Sequence, residues 1–153
     1  MTGGVFIKAK ENRAWDNRHS FLFWCFLFLL GATGYFGIEL LFRGFSHWSM
    51  ALCGGLCLCL IYAVNYKLNR TPLLIRALLG SLIITAVELA SGCLLNLYLG
   101  WHIWDYSNYA IHLWGQITPT FSGLWFLLCI PVCLFCSLAD GVVLRRLSPQ
   151  KSK

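Results

Sequence analysis

The chain has 153 residues, of which 58% are hydrophobic and 12% charged, and a formal net charge of +6. Soluble domains carry about 25% charged residues, and a chain this apolar could not cover its own surface as a soluble globule. The excess positive charge does not mark a nucleic-acid binder, because the basic residues form no patch with interleaved aromatics and sit instead between apolar runs.

Residues 1–19 read as a polar, basic segment with an interfacial stretch around Trp15. Four apolar runs follow, from about Phe21 to Phe42, Trp48 to Tyr66, Ala77 to Leu99 and Ile117 to Ala139. Each is close to the roughly 20 residues that a membrane-spanning helix needs. None alternates strictly, which excludes a water-filled barrel. The expected fold is all-α: a polytopic membrane protein of four transmembrane helices in two hairpins, with residues 20–140 as the membrane domain and residues 141–153 as a basic tail. The first run is too long for a cleavable signal peptide and lacks a small-residue cleavage site.

Orientation follows from the charges. Lys8, Lys10, Arg13 and Arg18 precede the first span. Lys67, Arg70 and Arg76 lie around the connection between spans two and three, and Arg145, Arg146, Lys151 and Lys153 follow span four. Arg43 alone falls on the opposite side. The positive-inside bias then puts both termini in the cytoplasm and the protein in the cell membrane.

The connection between spans one and two is short enough for a tight helical hairpin, and Pro72 suits the start of span three. The loop from Gly100 to Gln116 has no Lys or Arg and mixes Trp, Tyr and His with polar groups. Such a mixture belongs at headgroup level, so the loop is expected to be interfacial or partly re-entrant, folded over the outer mouth of the bundle. A weak parallel repeat is also visible: Glu39 followed by Arg43 and His47-Trp48, then Glu88 followed by Trp101-His102 and Trp104-Asp105.

Eight cysteines lie within the spans. Cys129, Cys133 and Cys136 share a helix face and read as small residues that let helices approach, rather than as a metal or redox site. Gly31, Gly34 and Gly37 read as packing residues for the same reason. His47, His102 and His112 lie at or near the outer side, but no metal-binding H-x-x-x-H or H-E-x-x-H spacing supports a metal centre, and no cofactor is implied. No phosphate-binding G-x-x-x-x-G-K-[ST] loop occurs, so any ATPase would be a separate subunit. No nucleophile elbow is present either.

Glu88 is the sharpest signal. It is the one charge in its span as drawn, and a carboxylate at that depth costs roughly 2.5–3.5 kcal/mol on insertion scales unless it faces protein or water. Ser81, Thr85, Glu88, Gly92 and Asn96 fall within a quarter-turn arc at about 100° per residue, so the stripe should point into the bundle. Glu39 and Arg43 are one helical turn apart and able to pair. Asp105 has a plain turn or cap role as its simplest reading, and Asp140 is placed to pair with Arg145 or Arg146.

Four blocks together resemble a known family. They are Glu39-Leu40-Leu41-Phe42-Arg43 with His47-Trp48-Ser49-Met50; Gly54-Gly55; Val87-Glu88-Leu89-Ala90-Ser91-Gly92; and Trp104-Asp105-Tyr106-Ser107-Asn108 running to Trp114-Gly115-Gln116-Ile117 and Phe121-Ser122-Gly123-Leu124-Trp125. The pattern is similar to the bacterial membrane family named "Putative ABC-transporter type IV", over about residues 20 to 140. The resemblance implies a permease-like membrane protein and supplies candidate ligand-binding residues: Glu39, Arg43, His47, Trp48, Glu88, Trp104, Asp105, Tyr106, Ser107 and Gln116, with Gly115 as a further motif match. His112 departs from the family pattern, which has Asn there.

Three functions compete. The first is a permease-like or ligand-binding subunit with an acidic outer-leaflet pocket, in contact with membrane lipid and joined to a separate ATPase, another membrane subunit or a second copy. The second is a structural or regulatory membrane protein. The third, an intramembrane lipid-modifying enzyme, would use Glu88 as general base with Asp105 or a histidine as partner.

Overall fold

The computed structural model describes residues 21–147, with side chains through residue 140. The expectations for residues 1–19, for the basic tail and for the Asp140 pairing with Arg145 or Arg146 lie outside the described side chains. Among the described residues the chain is helical, in four long elements: α1 (Phe21–Arg43), α2 (Trp48–Lys67), α3 (Leu73–Gly92) and α4 (Pro119–Leu147). A six-residue π-helical turn, Cys93–Tyr98, extends α3. All four are long and apolar enough to cross a membrane. The protein is a multi-pass helical membrane protein.

The helices form two hairpins, α1 on α2 and α3 on α4, and α2 also packs on α3 and α4. Outward faces stay apolar, with Leu41 87% and Leu138 69% exposed, as lipid-facing positions must be when lipid rather than water is the solvent. The core gathers Cys57 and Ile61 of α2, Ala77 and Ile84 of α3, and Trp125, Cys129 and Cys133 of α4. Helix association in lipid is driven by close packing, not by hydrophobic expulsion. The small residues show where it happens. A Cβ on Gly54 would overlap Tyr35 of α1, and one on Gly80 would lie 2.9 Å from the Cys129 sulfur.

The α1–α2 turn and the 100–116 loop share one end of the bundle, called here the lid end. The α2–α3 turn lies at the other.

One boundary differs from the sequence reading. Span three starts at Leu73, one turn before Ala77, so Arg76 is a helix residue rather than part of a connection. Its guanidinium turns inward and donates to Asn65 Oδ1 at 2.7 Å and Ser137 Oγ at 2.8 Å, tying α3 to α2 and α4. The α4 helix runs on to Leu147, while its stretch long and apolar enough to cross a membrane is Pro119–Asp140. Near the same end the Tyr62 hydroxyl donates to Asp140 Oδ1 at 2.8 Å.

The glycines of α1 also part company. Gly31 is pressed against the Gly54 carbonyl, but Gly34 and Gly37 have no atom within 4 Å of the place a Cβ would take. Three-residue steps advance about 300° around a helix, so successive glycines drift by about 60° and cannot all face one neighbour.

Cys129, Cys133 and Cys136 are fully buried and unpaired. Cys129 fills the space over Gly80, and Cys133 Sγ accepts the Asn65 amide at 2.9 Å. Changing all three to Ala should leave the fold intact and lower stability by about 1–3 kcal/mol, from lost contacts and one lost hydrogen bond. Denaturant titration in mixed micelles checks the loss. Stoichiometric metal that disappears with the triple change would instead show a metal site.

Candidate functional site

Fifteen residues into α3, about 22 Å along the helix, Glu88 is buried at 4% exposure. Its Oε2 accepts the indole N–H of Trp125 on α4 at 2.8 Å, and its Oε1 accepts the Tyr106 hydroxyl from the loop at 3.5 Å. Both donors are neutral. Among the described residues no basic side chain hydrogen-bonds or ion-pairs with Glu88; the one ion pair there is Arg43–Glu39. The rest of the stripe divides into two parts. Ser81 and Thr85 bond Ser122 of α4 at 2.8 and 3.0 Å, which zips the two helices together. Asn96 serves the loop.

An aromatic wall surrounds the carboxylate. Tyr106 stacks on Phe121 with centroids 4.7 Å apart, Phe121 lies 6.5 Å from Trp125, and Trp125 lies 5.7 Å from Tyr35 of α1. Burial, then the Glu88 carboxylate, push the Tyr106 phenol above its ordinary range, so it stays protonated and remains a donor.

The loop is a folded lid rather than a slack connection, and Asn96 is its hub. The Asn96 amide donates to the Trp104 carbonyl at 3.0 Å and to Gln116 Oε1 at 2.8 Å, while its Oδ1 accepts the Ile103 N–H at 2.8 Å. The Trp104 indole donates to the Gln116 carbonyl at 3.0 Å, and Tyr106 N–H to the Gly115 carbonyl at 2.8 Å. The π-helical turn brings Asn96 to this position, and Gly92 lets the Gln116 side chain lie on the α3 backbone, since a Cβ there would sit 2.5 Å from Gln116 Oε1. A π turn inside a helix often accompanies a specialised site.

The α1–α2 turn is latched to the same lid. Arg43 donates to Glu39 Oε1 at 3.0 Å and to the Ile103 carbonyl at 2.6 Å, and Ser46 donates to Glu39 Oε2 at 2.5 Å. Glu39 is thus a buried, paired carboxylate whose arginine reaches across to the lid.

The remaining candidates stand apart. Asp105 is exposed, and its Oδ1 accepts both the Ser107 hydroxyl at 2.6 Å and the Ser107 N–H at 2.9 Å. Those two donors hold its carboxyl below the usual range. It makes a turn, against Gly115, whose φ of +70° and close approach leave no room for a side chain. His47 caps α2 through Ser49 and packs its ring against Trp48, tilted at 5.3 Å, and against Trp101, edge-on at 5.4 Å. Of the ten candidates, then, Glu88 and Tyr106 form one buried centre, Trp104 and Gln116 frame it, and Glu39 with Arg43 latch it. Asp105 with Ser107 and His47 with Trp48 lie on the periphery.

Trp125, Tyr35, Phe121 and Asn96 complete the centre without having been singled out as site residues. One signal was available for Trp125: an indole N–H at membrane depth needs an acceptor, and Glu88 is the carboxylate at that depth. His112 has a local explanation too. Its Nδ1 accepts the Gly115 N–H at 3.0 Å, a bond that the carbonyl of an Asn could also accept.

No curated protein and no solved structure matches the chain. One family model matches residues 19–150, nearly the whole chain and all of the lid and its supports. The chain therefore belongs to the family described as "Putative ABC-transporter type IV".

Proposed function

We propose that this protein is a permease-like, ligand-binding membrane subunit that takes a polar or cationic group at Glu88, beneath the lid. The observation that carries the reading is a buried carboxylate held by two neutral donors and roofed by a hydrogen-bonded loop. Intramembrane ionisable residues are rare and commonly functional. A carboxylate without a cationic partner is able to accept one from a ligand, or a proton. Four helices are few for a conduit, so a second copy, another membrane subunit or a separate ATPase would complete the transporter. The charge distribution orients the lid end outward and both termini toward the cytoplasm of a cell-membrane protein.

The purely structural reading has one observation in its favour: both Glu88 oxygens already have donors. The enzyme reading loses the partner it named, because Asp105 turns to the surface and no histidine hydrogen-bonds Glu88 among the described residues. Native mass spectrometry of the protein released from nanodiscs separates the first two. A polar small molecule should accompany the wild type and be lost from a folded Glu88→Gln variant; equal retention in both would overturn the proposal.

Orientation has its own test. A reporter active only outside the cytoplasm should be active when fused near Asn108 and silent when fused near Asn69 or at Lys153. Activity at Lys153 would reverse the arrangement.

A further inference from the structure

The two hairpins do not close against each other along their whole length. A cleft with a volume of about 460 Å³ separates α1 from α4, bounded by Gly34 and Tyr35 of α1 and by Leu128, Pro131 and Phe135 of α4, with Ile61 of α2 on its floor. Its lining is almost wholly apolar. The rim residues Gly34, Pro131 and Phe135 are exposed, so the cleft opens sideways into the bilayer rather than toward the lid. Leu128 and Phe135 lie about 14 and 24 Å below the start of α4, which puts the cleft in the middle of a hydrocarbon core about 30 Å thick. Gly34 is what keeps it open, with no atom within 4 Å of where its Cβ would stand.

Size and depth decide what fits. One turn of a helix with its side chains, about 10–12 Å across and 5.4 Å long, fills roughly 420–610 Å³. The cleft matches about one turn, so a helix laid along it would leave most of its length on the outer faces of α1 and α4, whereas a single hydrocarbon chain fits within it. An apolar cavity does not hold water or a polar solute. At about 30 Å³ per small group, the share a water takes in the liquid, its volume accommodates about fifteen carbon-sized groups, close to one hydrocarbon chain.

We propose that the α1–α4 cleft is a binding site for one acyl chain of a bilayer phospholipid, entered laterally from the membrane. The assignment is independent of the role of Glu88, since chain binding needs only the cleft. It does place the chain against Tyr35, which also packs against Trp125, the residue that holds Glu88. An occupied cleft would therefore brace the wall of the buried carboxylate from the lipid side. Pro131 contributes shape, because a proline inside a helix removes one backbone hydrogen bond and bends the helix locally.

The test uses the full-length protein in nanodiscs of phosphatidylcholine doped with phosphatidylcholine that carries a diazirine at mid-chain. After irradiation, labelled peptides are mapped by mass spectrometry. Labelling should concentrate on Tyr35, Leu128 and Phe135 rather than on open lipid-facing positions at the same depth such as Leu127 and Leu134. Gly34→Leu should fill the cleft and reduce cleft labelling several-fold, since the leucine side chain takes the space of the acyl chain and removes its packing contacts. Gly37→Leu is the control: that glycine is also open but does not line the cleft, and its labelling should match the wild type. Labelling spread evenly over all lipid-facing positions of the wild type would overturn the site, and that map stands whether or not the Gly34 variant folds. So would wild-type levels in Gly34→Leu, or cross-links between copies at Gly34 that show a helix in the cleft.

Discussion

Glu88→Leu is expected to destabilise the bundle by roughly 1–3 kcal/mol, while Glu88→Gln stays within about 1 kcal/mol of the wild type. The reason lies in the two donors. Leucine leaves the Trp125 indole N–H and the Tyr106 hydroxyl without an acceptor in a region with little water, and a buried donor stripped of its partner costs about 1–3 kcal/mol. Side-chain hydrogen bonds in membranes are weaker on average, near 0.6 kcal/mol each, because the unfolded chain in lipid also finds partners. That sets the lower end of the range. Glutamine keeps a carbonyl oxygen for Trp125 and sacrifices only the weaker contact, at 3.5 Å. Unfolding in mixed micelles measures both variants. A leucine variant as stable as the wild type would mean that the two bonds hold nothing together. The pair of variants also separates stability from function: on the proposed function, glutamine keeps the fold and loses the ligand.

The four spans were legible because length and hydropathy alone define them, and the structure moves their ends by only a few residues. The inward face of α3 was legible for a different reason. A polar stripe in an apolar helix has one physically acceptable direction, and Ser81, Thr85 and Glu88 all point that way. Arg76 was misplaced because counting charges between spans cannot distinguish a basic residue in a turn from one that tucks its guanidinium between helices. The lid was legible as a loop folded over the mouth of the bundle, but its path was not. It has no helical or strand period, and two of its turns run through positive φ at His102 and Trp114, at +50° and +52°. Such conformations are uncommon for residues with a side chain, and the glycines near them, Gly100 and Gly115 at φ +68° and +70°, mark a turn without saying which way its neighbours face. Without that path, Asp105 could not be told to face outward or Tyr106 inward, although they are neighbours in the chain.

Asn96→Ala should release the lid while leaving the four helices formed. Three bonds depend on that one side chain, to the Ile103 N–H, the Trp104 carbonyl and Gln116 Oε1. At about 1 kcal/mol each, their loss lowers the local opening free energy by roughly 2–4 kcal/mol, since alanine offers no substitute and the π-helical turn holds the backbone where no other side chain reaches. A factor of ten accompanies each 1.4 kcal/mol, so amide exchange in the lid should accelerate about 30- to 700-fold. Hydrogen exchange in nanodiscs reads this directly. Amides near Ile103, Tyr106 and Gln116 should lose protection together, because Tyr106 N–H and the Trp104 indole are bonded within the same loop, while α2 and the middle of α4 keep theirs. Asn96→Asp keeps the acceptor for Ile103 but sets a carboxylate oxygen against the Trp104 carbonyl and Gln116 Oε1, and should release the lid at least as far as alanine does. If exchange in the lid is unchanged, the loop is held by its aromatic contacts with Phe121, and Asn96 is not its hub. If protection is lost along α3 and α4 as well, the lid is part of the bundle's cooperative core and cannot open on its own to admit a ligand to Glu88.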